Sequence, residues 1–150
     1  SDYVGFDIEL NRRNKPTDLI QLVVEKGGVI GLSLYPKIMR GGSNSTRKDF
    51  CDMIEWSVGK FGIDAVGFGT DYYTDYSEDA IVWWRAGRWA RQSPLRSPNK
   101  LSPWPDWFRS PKDFPGLLEE LGKRSFSDSD IAKISGGNWL RLYKESFAPR

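Results

Sequence analysis

Two short apolar runs constrain this chain most: Val29-Ile30-Gly31-Leu32-Ser33-Leu34-Tyr35 and Asp64-Ala65-Val66-Gly67-Phe68-Gly69. Both are too short for a core helix and lie among glycines. Their near-continuous apolar character suits strands buried on both faces, as in a parallel sheet. Between them Ser45 or Thr46 opens a helix whose Phe50, Met53, Ile54, Ser57, Val58 and Phe61 recur at the spacing of a single buried stripe. Gly62 ends it. Strand, helix, strand in this rhythm is a βαβ unit, right-handed by default, with ligands expected beyond the C-terminal ends of the strands. Two strands alone leave open edges with unpaired backbone groups. The pattern is therefore that of an incomplete α/β protein whose other strands are expected outside this chain.

Around this unit, Asp7 to Pro16 is polar and reads as a loop. Thr17 can cap a helix running to about Lys26, with Leu19, Ile20 and Val23 as its inner face and Gly27-Gly28 as its stop. Residues 72 to about 111 break the rhythm. They are rich in Trp, Arg, Ser and Pro, and hold five of the seven tryptophans. A stretch of this length is functional or disordered as a rule, and the density of large aromatic rings argues against plain disorder. Regular structure resumes with a helix near Phe114 to Arg124. Another begins at Ser127, where Asp130 makes a capping box with aspartate in place of glutamate. Gly136-Gly137-Asn138 separates it from a last helix carrying Trp139, Leu140, Leu142, Tyr143 and Phe147. There is no internal repeat.

Composition excludes several chemistries. At 150 residues the chain has the length of one domain. No apolar run approaches the ~20 residues that span a bilayer. No basic-then-apolar leader opens the chain, but it begins at Ser1 rather than Met, so compartment stays undetermined. A net charge of +2, from 22 basic and 20 acidic residues, gives no electrostatic case for nucleic acid or an anionic membrane. One cysteine, Cys51, excludes an internal disulfide and a cysteine-cluster metal site. There is no histidine, so a self-contained histidine-based metal or acid–base site is excluded as well.

From position alone, Asp71 stands at the end of the second strand, where barrel enzymes place catalytic groups; an aspartate capping a turn explains it equally well. Asp75, Glu78 and Asp79 invite a glycosidase reading with paired carboxylates, against a solvated acidic cluster. Cys51 lies off the main apolar stripe and has no histidine to activate it, so it reads as a structural thiol. The aromatic stretch, with Arg85, Arg88, Arg91 and Arg96, could stack on sugars or bases. More often such a patch packs against its own fold or a second subunit.

Several segments together resemble the membrane (renal) dipeptidase family of zinc peptidases. Asn11-Arg12-Arg13-Asn14-Lys15-Pro16-Thr17-Asp18 is similar to its Arg-Asn-x-Pro-Asp loop entering a helix. Gly27 to Tyr35 is similar to its penultimate strand. Val66-Gly67-Phe68-Gly69-Thr70-Asp71 is similar to its last barrel strand. Phe126 to Ile131 and Gly136 to Arg141 are similar to its closing helices.

The resemblance implies that residues 1–150 form the C-terminal fragment of a single (β/α)8 TIM-like barrel, with an aromatic-rich insertion at about 72–111 that would lie near the substrate mouth as a lid or interface. It implies hydrolysis of a dipeptide or similar small amide by two zinc ions, whose histidine and carboxylate ligands lie outside this chain. On its own the fragment is expected to be inactive and to need the rest of the barrel. Asp71 would act catalytically on a proton. Arg13 would hold the substrate carboxylate with its guanidinium fork, and Tyr35 would add its hydroxyl; a structural tyrosine at the strand end is the alternative. Where the family places a zinc-binding histidine before the Arg-Asn loop, this chain has Asp2. A homodimer is compatible with the aromatic patch. Two other readings stand beside this one: a non-catalytic family member, and a carbohydrate-active or carbohydrate-binding barrel.

Overall fold

A computed structural model describes residues 14–72 and 103–148, together with Ser77, Asp79 and Ala80. The elements follow the order α1 (Thr17–Glu25), β1 (Ile30–Ser33), α2 (Arg47–Phe61), β2 (Val66–Gly69), α3 (Phe114–Gly122), α4 (Asp128–Ala132) and α5 (Asn138–Ser146). β1 and β2 pair in parallel, Ile30 opposite Val66 and Ser33 opposite Gly69, and form a two-stranded sheet. The expected βαβ unit is present, though each strand is only four residues long. A 3₁₀ turn over Ile63–Ala65 takes the first residues expected of the second strand.

The two faces of this sheet differ by the period-two alternation of strands. Leu32 and Phe68, paired in register, join the main core with Phe50, Ile54, Leu117, Leu121 and Ile134, all buried. Phe68 stands edge-on to Phe50 at 6.1 Å and stacks on Phe114 at 5.6 Å. The alternate positions are Gly31, Ser33, Gly67 and Gly69. Trp139 of α5 packs closely against two of them. A Cβ added at Gly67 would come within 2.5 Å of the indole Nε1, and one at Gly31 within 3.1 Å of the ring. Only glycine lets an indole approach the sheet this closely.

Helix starts follow local chemistry. Thr46 caps α2 in a full capping box: its Oγ1 accepts from Asp49 N–H at 3.1 Å, and the Asp49 carboxylate accepts from Thr46 N–H at 2.7 Å. That backbone hydrogen bond, reinforced by the Thr46 hydroxyl, holds the Asp49 carboxyl below the ordinary aspartate range. Ser127 and Asp130 repeat the device at α4. Gly62, at φ 87° and ψ 155°, takes an extended positive-φ conformation open to glycine that terminates α2, its N–H returning to Val58 O at 2.8 Å.

α5 seals the N-terminal end of the sheet. Buried Asn138 donates through Nδ2 to the carbonyls of Ile63 and Val66, both at 2.7 Å. Arg141 donates to Gly27 O and Asp64 O, each at 3.0 Å. The Gly136-to-Arg141 segment is thus a staple across the two strand starts. It does not separate two helices cleanly: a π-helical turn over Lys133–Gly137, kinked at Gly136, joins α4 to α5.

Two expectations from sequence, both on α1, need correction. Of the assumed inner face of α1 only Ile20 is buried; Leu19 and Val23 are 46% and 42% exposed, since among the described residues nothing covers that flank. Thr17 is not the cap of α1 but its first residue, with Pro16 at the cap position. Cys51, off the predicted stripe of α2, is fully buried, because α3 packs along that second flank. Burial pushes its thiol up to about 12, so it stays protonated near neutral pH and serves packing.

Candidate active site

Parallel pairing brings the C-terminal ends of β1 and β2 to one edge. Two residues beyond the last pair, Ser33 and Gly69, the chain reaches Tyr35 on one strand and Asp71 on the other. Each strand leaves the sheet through the same local device. Ser33 Oγ accepts from Tyr35 N–H, and Thr70 Oγ1 accepts from Tyr72 N–H, both at 3.1 Å. These side-chain bonds occupy backbone donors that the ended ladder no longer serves.

Asp71 is exposed and sits at φ 56°, a left-handed conformation that is uncommon outside glycine. Among the described residues only Asp71 and Ser125 show it without being glycine. Strained backbone of this kind concentrates at functional sites. Here it falls at the sheet end where βα enzymes bind ligands.

An aromatic wall stands beside it. Half-buried Tyr35 meets Trp104 edge-on at 6.2 Å, and Trp104 meets Tyr72 edge-on at 5.4 Å. Tyr72 continues to Phe108 at 5.7 Å, and Phe108, fully buried, packs on Phe114. Trp107 ties the same segment to the loop before α2, its Nε1 donating to Ser45 O at 2.9 Å. The end of the tryptophan-rich stretch, Trp104-Pro105-Asp106-Trp107-Phe108, is therefore packed on the protein's own core. The sequence signal was the Trp-Pro-x-Trp-Phe run itself; its pairing with Tyr72, across a long intervening segment, left no local mark.

Arg13, Asp2, Asp75 and Glu78 lie outside the described residues, and Asp79 is exposed. Asn14, the neighbour of Arg13, lines a cleft of about 130 Å³ with Ile30, Leu32 and Ser33 of β1 and Met53 and Ser57 of α2. The loop entering α1 thus runs alongside β1. Among the described residues no group of three or more His, Cys, Asp or Glu side chains could hold a metal ion, and the sequence has no histidine. The described residues do not fit a zinc centre.

Known proteins share this arrangement. An amidohydrolase from Pseudomonas aeruginosa superposes with a TM-score of 0.80 at 26% identity, over 95% of this chain and 44% of its own. A dipeptidase of family M19, a metallopeptidase, superposes with a TM-score of 0.65 at 15% identity over 91% of this chain and 34% of its own, a likeness of fold. What these two share with the chain is the α/β fold. The model of the membrane dipeptidase family, peptidase family M19, matches residues 7–80. The family these matches support for this chain is the membrane dipeptidase family. Dipeptidase aclJ of Aspergillus oryzae is 26% identical over 132 residues, 87% of this chain; the chain spans a quarter of that relative's length.

Proposed function

We propose that this chain is the C-terminal part of a (β/α)8-barrel metallodipeptidase and supplies substrate-binding and proton-handling groups. Its two zinc ions would be held by residues outside the chain. The substrates are dipeptides or similar small amides, as the family's dipeptidases suggest. The observation that carries this reading is the placement of Tyr35 and Asp71 at equivalent positions beyond the C-terminal edge of a parallel strand pair, with exposed Asp71 held at a positive φ.

In this reading Asp71 takes and returns the proton that moves as the amide is cleaved. Arg13 binds the free carboxylate of the substrate through its planar fork, and the Tyr35 phenol adds a third donor. The carboxylate keeps its charge throughout hydrolysis, so contacts to it stabilise ground state and transition state alike. Arg13→Met in the complete zinc-loaded protein should therefore raise KM roughly 10- to 100-fold, the scale of a lost hydrogen-bonded charge, with kcat nearly unchanged. Amidated dipeptides should be poor substrates of the parent, and the variant should discriminate less between amidated and free forms. A parent that cleaves both forms equally well contradicts the carboxylate anchor.

A further inference from the structure

The aromatic wall has a feature that core packing does not explain. Within Trp104-Pro105-Asp106-Trp107-Phe108 the anchoring is done by Pro105 and Phe108, both fully buried, and by Trp107, which donates to Ser45 O. Trp104 is only half-buried, and its ring lies between two tyrosines that belong to different strand ends. The angles to Tyr35 and Tyr72 are 66° and 64°, so each contact is edge-to-face, the arrangement that the ring quadrupoles favour. Tyr35 leads directly out of β1, and Tyr72 directly follows the strained Asp71. Tyr72 is also the residue whose N–H closes the turn on Thr70. A side chain that touches both rings couples the end of one strand to the turn on the other.

We propose that Trp104 is a positioning residue: wedged edge-on between Tyr35 and Tyr72, it fixes the Tyr35 phenol and the left-handed turn at Asp71 relative to one another. The kinetic part of this inference rests on the roles given above to Tyr35 and Asp71; the structural part does not. Two routes of action follow. Through Tyr35, Trp104 sets the donor to the substrate carboxylate and so acts on KM. Through Tyr72 it holds the Asp71 turn and so acts on kcat, because misplacement of a reacting group by about 1 Å can cost roughly 100-fold in rate.

The test uses the complete protein labelled with 3-fluorotyrosine, with the Tyr35 and Tyr72 signals assigned from Tyr35→Phe and Tyr72→Phe. In Trp104→Leu both signals should move together and the remaining tyrosine signals stay in place. Trp104→Phe, which keeps an aromatic wedge, should return both toward their parental positions. In the kinetic arm, Trp104→Leu should raise KM and lower kcat, each by roughly 10-fold or more, and Trp104→Phe should recover most of both. On a Tyr35→Phe background the KM effect of Trp104→Leu should vanish while the kcat effect persists. Unmoved tyrosine signals in Trp104→Leu overturn the proposal whatever the activity. So does a KM effect that simply adds to that of Tyr35→Phe. If the signals move as expected but the zinc-loaded parent hydrolyses no dipeptide, the wedge stands and the dipeptidase reading falls. If Trp104→Leu does not fold, Trp104→Phe decides alone: a parental fluorine spectrum and parental kinetics support the wedge, and an altered spectrum at parental thermal stability overturns it.

Discussion

Asp71 holds a backbone conformation that costs a non-glycine residue about 1–2 kcal/mol. Glycine would relieve that strain but lose more chain entropy on folding, by about 1 kcal/mol. Asp71→Gly should therefore leave stability within about 1 kcal/mol of the parent. Asp71→Val, with a β-branched side chain poorly suited to positive φ, should destabilise by about 1–2 kcal/mol. Denaturant melts of the complete protein check this ordering, and a Val variant as stable as the Gly variant contradicts the strained turn. Asn138 is the opposite kind of residue: buried and helical in backbone, with its side-chain NH2 donating to two carbonyls. Asn138→Ala leaves Ile63 O and Val66 O without that partner and should cost about 1–3 kcal/mol. Asn138→Asp keeps the shape but replaces donors with an acceptor facing two acceptors, and should cost more than the alanine change. Sequence pointed to the neighbourhood of both residues. It did not reveal the φ of Asp71, which is set by what surrounds the turn, or the partners of Asn138, which lie more than 70 residues away in the chain.

At the scale of elements, α2 was the most legible. Its stripe, its Thr46 cap and its Gly62 stop are all local signals, and all three are present in the fold. Thr46→Ala should cost about 1 kcal/mol. The cap also carries a pH signature. Asp49 titrates lower folded than unfolded, so its stabilisation is present above about pH 4, the ordinary aspartate value, and is lost as pH falls through its lowered folded pKa. The stability gap between parent and Asp49→Asn should accordingly be widest near neutral pH and close under acid; a gap that is constant with pH contradicts the capping role. The seat of α5 against the sheet was not legible. Glycines at alternate strand positions could mark a bulge or a close approach, and only Trp139 over Gly31 and Gly67 decides. Gly67→Ala should force the indole to shift and destabilise by about 1–3 kcal/mol, as overpacking does. α1 was misjudged for a related reason: periodicity identifies an apolar face but not whether a neighbour covers it.

For the molecule as a whole, the two-stranded sheet sets the argument. Among the described residues α1 exposes Leu19, Leu22 and Val23, and α5 exposes Leu140 and Tyr143, with Phe147 just after it exposed at 81%. Strand edges and apolar faces of this extent are what further βα units of a barrel would cover. The isolated 150-residue chain should self-associate or melt without a sharp transition, and a cooperative two-state melt of a monomer contradicts its being part of a larger fold. Calorimetry with zinc on the same chain should give no stoichiometric tight site, since it has no histidine and one buried thiol. The parallel βαβ unit was readable from two glycine-bounded runs and the stripe between them, because those signals are local. The wall of Tyr35, Trp104 and Tyr72 was not, because it joins three distant segments. The central claim is that Asp71 handles a proton in a dipeptidase reaction. Its most direct test is the turnover of free dipeptides by the complete zinc-loaded protein and its Asp71→Asn variant, which keeps the shape and tolerates the left-handed turn. The account predicts kcat lower by about 10²–10⁴-fold at unchanged thermal stability; a kcat within a few-fold of the parent contradicts it.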